Sequence, residues 1–233
     1  MELLTSADVA ADRRICGEIA RTFPGHAILS EESYPELKAA AQGRGPLWIV
    51  DPIDGTVNYA YGHPQVAVSI AFALDGQVQV GVVHAPFQGE TFAAARGAGA
   101  RLNGEPIRPS GSAELRRALV ATGFPYERER REALLPRLRQ VLLHCRDIRR
   151  AGSAAIDLCW VAAGRLDGFY ETLSPWDIAA GRLIVTEAGG RVGNLRPNGE
   201  AISPELDGME LVAAAPRIYG ELVALLAGAG GTE

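Results

Sequence analysis

WIVDPIDGTVNYAYG, residues 48–62, places an apolar run directly before two carboxylates and a glycine turn. Asp, Pro, Gly and Asn are common turn formers, so one interpretation is a strand that ends at a solvated turn. The alternative is a site where Asp51 and Asp54 bind a cation beside an anionic group. Gly55 and Thr56 fit this alternative, because a short helix beginning there would offer free N–H groups and a dipole to a phosphate.

Composition and charge limit the kind of protein. The chain has 233 residues, 47% hydrophobic and 22% charged, which is enough for one large domain or two small ones. Its formal net charge of -5 gives no general affinity for nucleic acid or acidic membranes. An anionic ligand would therefore need a local device such as a metal.

The cysteines and the N-terminal residues indicate the compartment. Cys16, Cys145 and Cys159 are far apart and odd in number, which fits reduced thiols better than a disulfide framework. No apolar run reaches the ~18 residues of a membrane span. Residues 1–14 lack the basic and then apolar pattern of a secretory signal. The sequence therefore predicts a cytoplasmic protein.

Hydrophobic periodicity in the first half predicts an α+β domain over residues 1–110. Residues 7–22 have helical spacing, and the runs HAILS and LWIV suit short strands that end at carboxylates. Alternating apolar residues flank the Asp-Gly pair at 75–76, and the Asn-Gly pair at 103–104 indicates another hairpin. We expect an antiparallel sheet that carries most of the metal ligands.

The pattern changes near residue 110, and residues 111–233 are predicted to form an α/β domain. Strands and helices alternate there, which is typical of that class. This domain would supply Asp177 and the substrate contacts. Its predicted helices cover 127–144, 151–165, 175–190 and a final segment, and its predicted strands cover 116–124, 166–171 and 209–216.

Four carboxylates fall at the ends of predicted elements. Glu31, Asp51 and Asp54 each follow an apolar strand-like run, and Asp177 begins a helix. Any one alone is most simply a solvated turn residue, but four in such positions favour a shared site. Carboxylate oxygens are hard ligands that suit Mg²⁺, whereas the four histidines lack the spacing of a zinc site.

The quoted stretch is similar to the first signature of the inositol monophosphatase family. DPIDGTVNY at 51–59 carries that resemblance, PWDIAAGRLIVTEAGG at 175–190 resembles the second signature, and ILSEES at 28–33 resembles the Glu-Glu segment. The likeness covers nearly the whole chain. It implies a layered αβαβα sandwich of the sugar phosphatase type, Mg²⁺-dependent and lithium-sensitive phosphomonoester hydrolysis, two or three Mg²⁺ ions, and frequent homodimers.

The resemblance also implies roles for individual residues. Thr56 would be catalytic together with Glu31, and Asp8 in TSAD matches the residue that hydrogen-bonds the catalytic threonine. Gly55 and Thr56 would contact the phosphate. The implied metal ligands are Glu31, Asp51, the Ile53 carbonyl, Asp54 and Asp177.

A second group of residues is matched to the substrate pocket. Glu171 falls where the family places a carboxylate that accepts hydrogen bonds from inositol hydroxyls. Residues 152–154 would line the same pocket, although a tight helix start explains these three positions equally well. Arg149 and Arg150 could steer the phosphate or form ion pairs, and ion pairs are favoured. The three pocket candidates are Gly152, Ser153 and Ala154.

The resulting hypothesis is hydrolysis of inositol monophosphate or a similar polyol phosphate. Two Mg²⁺ ions about 3.5–4 Å apart would hold the attacking and leaving oxygens. Glu31 and Thr56, with Asp8 behind it, would orient the attacking water, so that catalysis is mainly positioning and charge neutralisation. Alternatives are the same chemistry on fructose 1,6-bisphosphate, histidinol phosphate or a 3′-phosphoadenosine nucleotide, or a regulatory relative without turnover.

One departure from the family concerns the N-terminus. Family members usually carry an additional helix before the TSAD segment, and this chain begins almost at that segment. We expect a start that is either naturally short or lost, with effects on lid closure, dimer packing or a third metal. It removes none of the implied ligands.

Overall fold

The bounds of the helices and strands follow the sequence pattern closely. The computed structural model describes residues 3–33, 45–125, 131–196 and 203–229, and these ranges contain six α-helices and twelve strands. The helices are α1 Ser6–Thr22, α2 Thr56–Tyr61, α3 Arg131–His144, α4 Ala154–Ala162, α5 Pro175–Glu187 and α6 Tyr219–Ala229. The predicted start of α3 at residue 127 lies outside the described residues.

The strands of the first half are β1 Ala27–Ser30, β2 Pro46–Asp54, β3 Ala67–Leu74, β4 Gln77–Ala85, β5 Glu90–Ala95, β6 Ala100–Leu102 and β7 Glu105–Pro106. They form one sheet in chain order. Both predicted hairpins are present, with positive φ at Asp75 and Gly76 and again at Asn103 and Gly104, as type I′ turns require.

The expectation of a purely antiparallel first sheet was wrong at one edge. β1 pairs with β2 in parallel, whereas each later neighbouring pair is antiparallel. Parallel neighbours need a long connection of about a dozen residues or more, and residues 31–45 between the two strands supply one. Periodicity within each strand carries no information on this direction.

The second half forms a separate five-stranded sheet. Its spatial order is β11-β12-β10-β8-β9, with two parallel and two antiparallel pairs. The two edge strands, β9 and β11, were not predicted, because short polar edge strands have no apolar alternation. The five strands are β8 Leu119–Thr122, β9 Asp147–Arg149, β10 Gly168–Glu171, β11 Arg191–Asn194 and β12 Leu211–Ala214.

Helices and sheets alternate in five layers, as the resemblance implied. α1 packs on the outer face of the first sheet, α4 and α5 lie between the two sheets, and α3 and α6 cover the second. The contact between α5 and β4 is close, since a Cβ at Gly81 would lie 2.9 Å from the Ala180 Cα. This packing brings the N-terminal ends of α4 and α5 towards the first sheet.

The apolar core joins the two halves of the chain. One buried cluster contains residues of both sheets, from Leu29 of β1 to Ala213 of β12, and a second lies under α3 and α6. The division at residue 110 separates the sheets and stays a prediction as a domain boundary. All three cysteines are free thiols, and none of the described helices is long and apolar enough to cross a bilayer.

Candidate active site

Parallel pairing of β1 and β2 sets the first two carboxylates side by side. Ser30 is in register with Val50, and the Glu31 N–H donates to the Val50 carbonyl at 3.2 Å. Glu31 and Asp51 each follow these paired residues and therefore lie at the same edge of the sheet. Chain ends of adjacent parallel strands are a common place for ligands in α/β proteins.

A bulge in β2 brings Asp54 to the cavity that Asp51 also lines. Residues three apart in a regular strand point to opposite faces, but the register with β3 shifts between Asp51 and Asp54. The Asp51 carboxylate accepts from the Ile53 N–H at 3.0 Å, which fixes the turn locally. Both aspartates are buried, at 1% and 7% exposure.

The third carboxylate comes from the second half of the chain. Asp177 is in the first turn of α5, where its Oδ2 accepts from the Ser174 N–H at 2.8 Å in a capping box. One oxygen each of Asp51, Asp54 and Asp177 lies within 4.8 Å of the other two. The predicted ligands from opposite halves of the chain are thus brought together.

The electrostatics of this cluster fit a cation. Burial and then the charges of Glu31 and Asp54 raise the pKa of Asp51 well above its usual range. Burial and then the charges of Asp54 and Glu31 do the same to the pKa of Asp177. Buried carboxylates so close together are unfavourable unless protons or a metal offset their charge. Their hard oxygen donors suit Mg²⁺.

Asp54 also caps a helix, a role that the sequence did not indicate. The Ser153 hydroxyl donates to Asp54, as do the backbone N–H groups of Ala155 at 2.8 Å and Ala154 at 3.3 Å. Burial nevertheless raises the pKa of Asp54. Ser153 itself caps α4 by accepting from the Ile156 N–H. Residues 152–154 therefore form a tight helix start and also line the cavity.

Thr56 and Asp8 are joined by a hydrogen bond across 48 residues. The Thr56 Oγ1 lies 3.1 Å from the Asp8 Oδ1 and 3.2 Å from the Ile53 carbonyl oxygen. Asp8 is held in turn by a capping box with Thr5 at the start of α1. Gly55 has a φ of 94°, and a Cβ there would lie 2.7 Å from the Gln65 carbonyl oxygen, so this turn requires glycine.

A cavity of about 610 Å³ opens between these elements. Every predicted site residue lines it except Asp8, which lies behind Thr56. The lining residues that sequence analysis had assigned are Glu31, Asp51, Ile53, Asp54, Gly55, Thr56, Gly152, Ser153, Ala154, Glu171 and Asp177.

Two further residues line the cavity: Arg150, which sequence analysis had assigned to an ion pair, and Asp157, which it had missed. Arg149 forms the expected ion pair, with Asp147 at 2.6 Å, but Arg150 lines the cavity with its guanidinium over the Phe124 ring. Asp157 also lines it, is 2% exposed, and has no hydrogen-bond partner at Oδ1 within the described part of the chain. The only signal in the sequence is an acid within the apolar run AAIDLCWVA.

Glu171, at the end of β10, lines the cavity on the side of the second sheet, which is termed the far wall. Burial raises its pKa to about 8, with Arg150 acting to lower it and Asp54 to raise it. In the metal-free protein the side chain is therefore largely protonated at neutral pH. It gains capacity to accept hydrogen bonds as the pH rises or as a cation offsets the neighbouring charge.

The fold and the cavity define a class of protein: layered α/β proteins with a carboxylate site suited to divalent cations. The chain belongs to the inositol monophosphatase family, whose sequence model matches residues 1–229.

Relatives and solved structures agree with this assignment. The Nus factor SuhB of Pasteurella multocida strain Pm70 is 41% identical over 229 residues, covering 95% of this chain and 81% of the relative. The structure of inositol monophosphatase from Anabaena (Nostoc) sp. PCC 7120 is 38% identical with a TM-score of 0.85, covering 96% and 86%. Mycobacterium tuberculosis SuhB is 42% identical with a TM-score of 0.82, covering 97% and 85%.

The first prediction concerns Glu171 and pH. Because its pKa is raised on folding, the folded protein holds a proton that the unfolded chain releases between about pH 4.5 and 8. The stability of the wild type in chelator should therefore fall relative to Glu171→Gln as the pH rises through this window, and stay parallel outside it. Denaturant unfolding at several pH values measures the difference. Parallel curves throughout would contradict the raised pKa.

The second prediction separates two roles of Asp177. Asp177→Asn keeps an acceptor oxygen for the Ser174 N–H but removes a negative charge from the carboxylate cluster. The melting temperature in chelator should be unchanged or higher, whereas the Mg²⁺ concentration that raises the melting temperature halfway should increase at least about tenfold. Asp75→Asn, in an exposed hairpin, is the control. An unchanged Mg²⁺ response would reduce Asp177 to a helix cap.

Proposed function

We propose that this chain is a Mg²⁺-dependent, Li⁺-sensitive phosphatase that hydrolyses inositol monophosphate or a similar small polyol phosphate by a two-metal mechanism. One observation carries the proposal. The carboxylates of buried Asp51 and Asp54 and of half-buried Asp177 converge within 4.8 Å on a cavity that Thr56 also lines. Membership of the inositol monophosphatase family supports phosphatase chemistry at this place.

The cluster would hold Mg²⁺ through Glu31, Asp51, the Ile53 carbonyl, Asp54 and Asp177. Bound there, Mg²⁺ supplies Lewis-acid polarisation and neutralises the charge of the phosphoryl group. Two or three ions are part of the proposal. The direction of the pKa shifts of Asp51 and Asp177 supports it, because burial and the neighbouring carboxylates disfavour their charged forms in the absence of a cation.

The chain's own residues would orient the attacking water. When Thr56 donates its proton to Asp8, its oxygen keeps lone pairs that can accept a proton of water. Glu31 would take part as the second acceptor, so that the oxygen of the water faces phosphorus. Attack forms a new P–O bond as the ester P–O bond breaks, a proton of the water would pass to Glu31, and the leaving alkoxide would take a proton from solvent to give the alcohol. Gly55 and Thr56 would contact the phosphate through their backbone N–H groups.

The alcohol part of the substrate would lie against the far wall. Glu171 would accept hydrogen bonds from the hydroxyls of the polyol, and Gly152, Ser153 and Ala154 would border them. These residues line the same cavity as the carboxylates, with the charge of Arg150 nearby. Fructose 1,6-bisphosphate, histidinol phosphate and 3′-phosphoadenosine nucleotides are the alternative substrates.

A second candidate function is regulatory. The relative from Pasteurella multocida carries the name Nus factor SuhB, so a relative of this chain is named for a role other than hydrolysis. The chain would then bind a protein partner and need no turnover. The intact set of carboxylates favours the enzyme. The homodimer and the cytoplasmic location remain predictions for either function.

The third prediction tests catalysis itself. Phosphate release from inositol 1-phosphate should require Mg²⁺, cease in excess chelator and be inhibited by millimolar Li⁺. Thr56→Ala should lower kcat by roughly 10²–10⁴-fold with little change in KM, because the hydroxyl orients water rather than substrate. Steady-state kinetics of both proteins give the comparison.

Several outcomes would contradict this proposal. Turnover that survives chelation would exclude the metal mechanism, and a rise in KM at unchanged kcat would remove Thr56 from its role. Absence of turnover on inositol monophosphate and on each of the alternative substrates, in a protein that still binds Mg²⁺, would favour the regulatory function.

The fourth prediction concerns the substrate. Glu171→Gln should reduce kcat/KM strongly for inositol 1-phosphate and only slightly for nitrophenyl phosphate, because nitrophenol presents no vicinal hydroxyls to the carboxylate. The ratio of the two effects is the quantity measured. Equal losses on both substrates would mean that Glu171 supports the cavity wall without contacting the polyol.

A further inference from the structure

α1 carries a second buried carboxylate one turn after Asp8. Asp8 and Asp12 are four residues apart, so they lie on the same face of the helix, and they are 1% and 5% exposed. Asp8 contacts Thr56, the first residue of α2. Asp12 contacts residues on either side of Glu31, which lines the cavity, and has no role in the proposed reaction described above.

The Asp12 carboxylate accepts three hydrogen bonds. Its Oδ1 accepts from the Ser30 hydroxyl at 2.5 Å and from the Cys16 thiol at 3.3 Å, and its Oδ2 accepts from the Ser33 hydroxyl at 2.5 Å. Burial raises the pKa of Cys16 to about 11, so the thiol keeps its proton and stays a donor. Both oxygens of the buried side chain are thus satisfied.

The two serines stand on either side of Glu31 in the sequence. Ser30 is the last residue of β1, is fully buried and pairs with Val50. Ser33 follows three positions later, beyond the residues that this pairing fixes. One carboxylate on α1 therefore holds both ends of the short segment that carries Glu31, which strand pairing alone would hold at one end only.

The structure assigns Asp12 as a positioning residue: through Ser30 and Ser33 it holds Glu31 beside Asp51, where both can bind a divalent cation. This assignment rests on the proposed function in that it takes the carboxylate cluster to be a Mg²⁺ site. α1 then positions two parts of the site from one face, Thr56 through Asp8 and Glu31 through Asp12.

A purely structural link between helix and strand is the competing explanation. Asp167 offers a matched case, because it accepts from the Ser110 hydroxyl at 2.5 Å and from the Leu119 N–H at 2.7 Å. Neither Asp167 nor its two partners line the cavity or adjoin in sequence a residue that does, whereas Ser30 and Ser33 flank Glu31, which lines it. Loss of the Asp167 contacts should lower stability alone, whereas loss of the Asp12 contacts should also weaken Mg²⁺ binding.

The experiment measures the melting temperature of each variant against Mg²⁺ concentration, without substrate, and then the Mg²⁺ dependence of phosphate release. The Mg²⁺ midpoint is the Mg²⁺ concentration that raises the melting temperature halfway. Asp12→Ala should raise this midpoint by about 10- to 100-fold, the usual effect of removing a residue that orients a metal ligand. Asp12→Asn should recover part of this, since the Ser33 hydroxyl can accept from the amide. Ser33→Ala should raise the midpoint several-fold.

Ser33→Ala is the decisive variant if Asp12→Ala does not fold. Ser33 is exposed, so Ser33→Ala should fold with a lowered melting temperature in chelator, as expected for Ser110→Ala. It carries no charge, so a weaker Mg²⁺ response cannot come from lost long-range attraction. Asp167→Ala and Ser110→Ala should lower the melting temperature in chelator and leave the Mg²⁺ midpoint unchanged.

The assignment would be overturned if Ser33→Ala and folded Asp12→Ala kept the wild-type Mg²⁺ midpoint. It would also be overturned if Asp167→Ala and Ser110→Ala shifted the Mg²⁺ midpoint as much as the Asp12 and Ser33 variants do. A wild type with no Mg²⁺ response would overturn it as well. A wild type that responds to Mg²⁺ without hydrolysing any phosphomonoester would refute the proposed function alone, because the melting readout does not depend on turnover.

Discussion

Repulsion among buried carboxylates is the constraint on which the rest of the site depends. Buried Asp51 and Asp54 and half-buried Asp177 approach within 4.8 Å of one another, an arrangement that opposes folding unless it is offset. Hydrogen bonds offset part of the charge, and a divalent cation would offset much of the rest. Burial raises the pKa of all three groups, and the charges of neighbouring carboxylates raise the pKa of Asp51 and Asp177 further.

The fold meets this constraint with helix N-termini. Asp8 and Asp177 belong to capping boxes at the starts of α1 and α5, and Asp54 accepts from the first N–H groups of α4. Each of these carboxylates therefore lies at the positive end of a helix dipole, which favours its charged form. Capping and site construction are the same set of contacts, so stability and function are linked at every one of them.

Family membership and activity are separate questions for this chain. The same layered fold occurs in proteins named inositol monophosphatase and in proteins named SuhB, and a fold by itself does not specify a function. The distinction depends on whether the carboxylate cluster, the Thr56–Asp8 pair and the far wall with Glu171 act together on a substrate. All of them border or support one cavity here.

The sequence by itself determined the local features: the turns at 75–76 and 103–104, the helix starts, and the motif residues at strand ends, because neighbouring residues control these structures. Only the tertiary structure decided which of them meet. The parallel pairing of β1 with β2, the capping of α4 by Asp54, and the entry of Arg150 and Asp157 into the cavity all join distant segments. Hydrophobic periodicity indicates which face of a helix or strand is buried, but it does not indicate which other segment that face contacts.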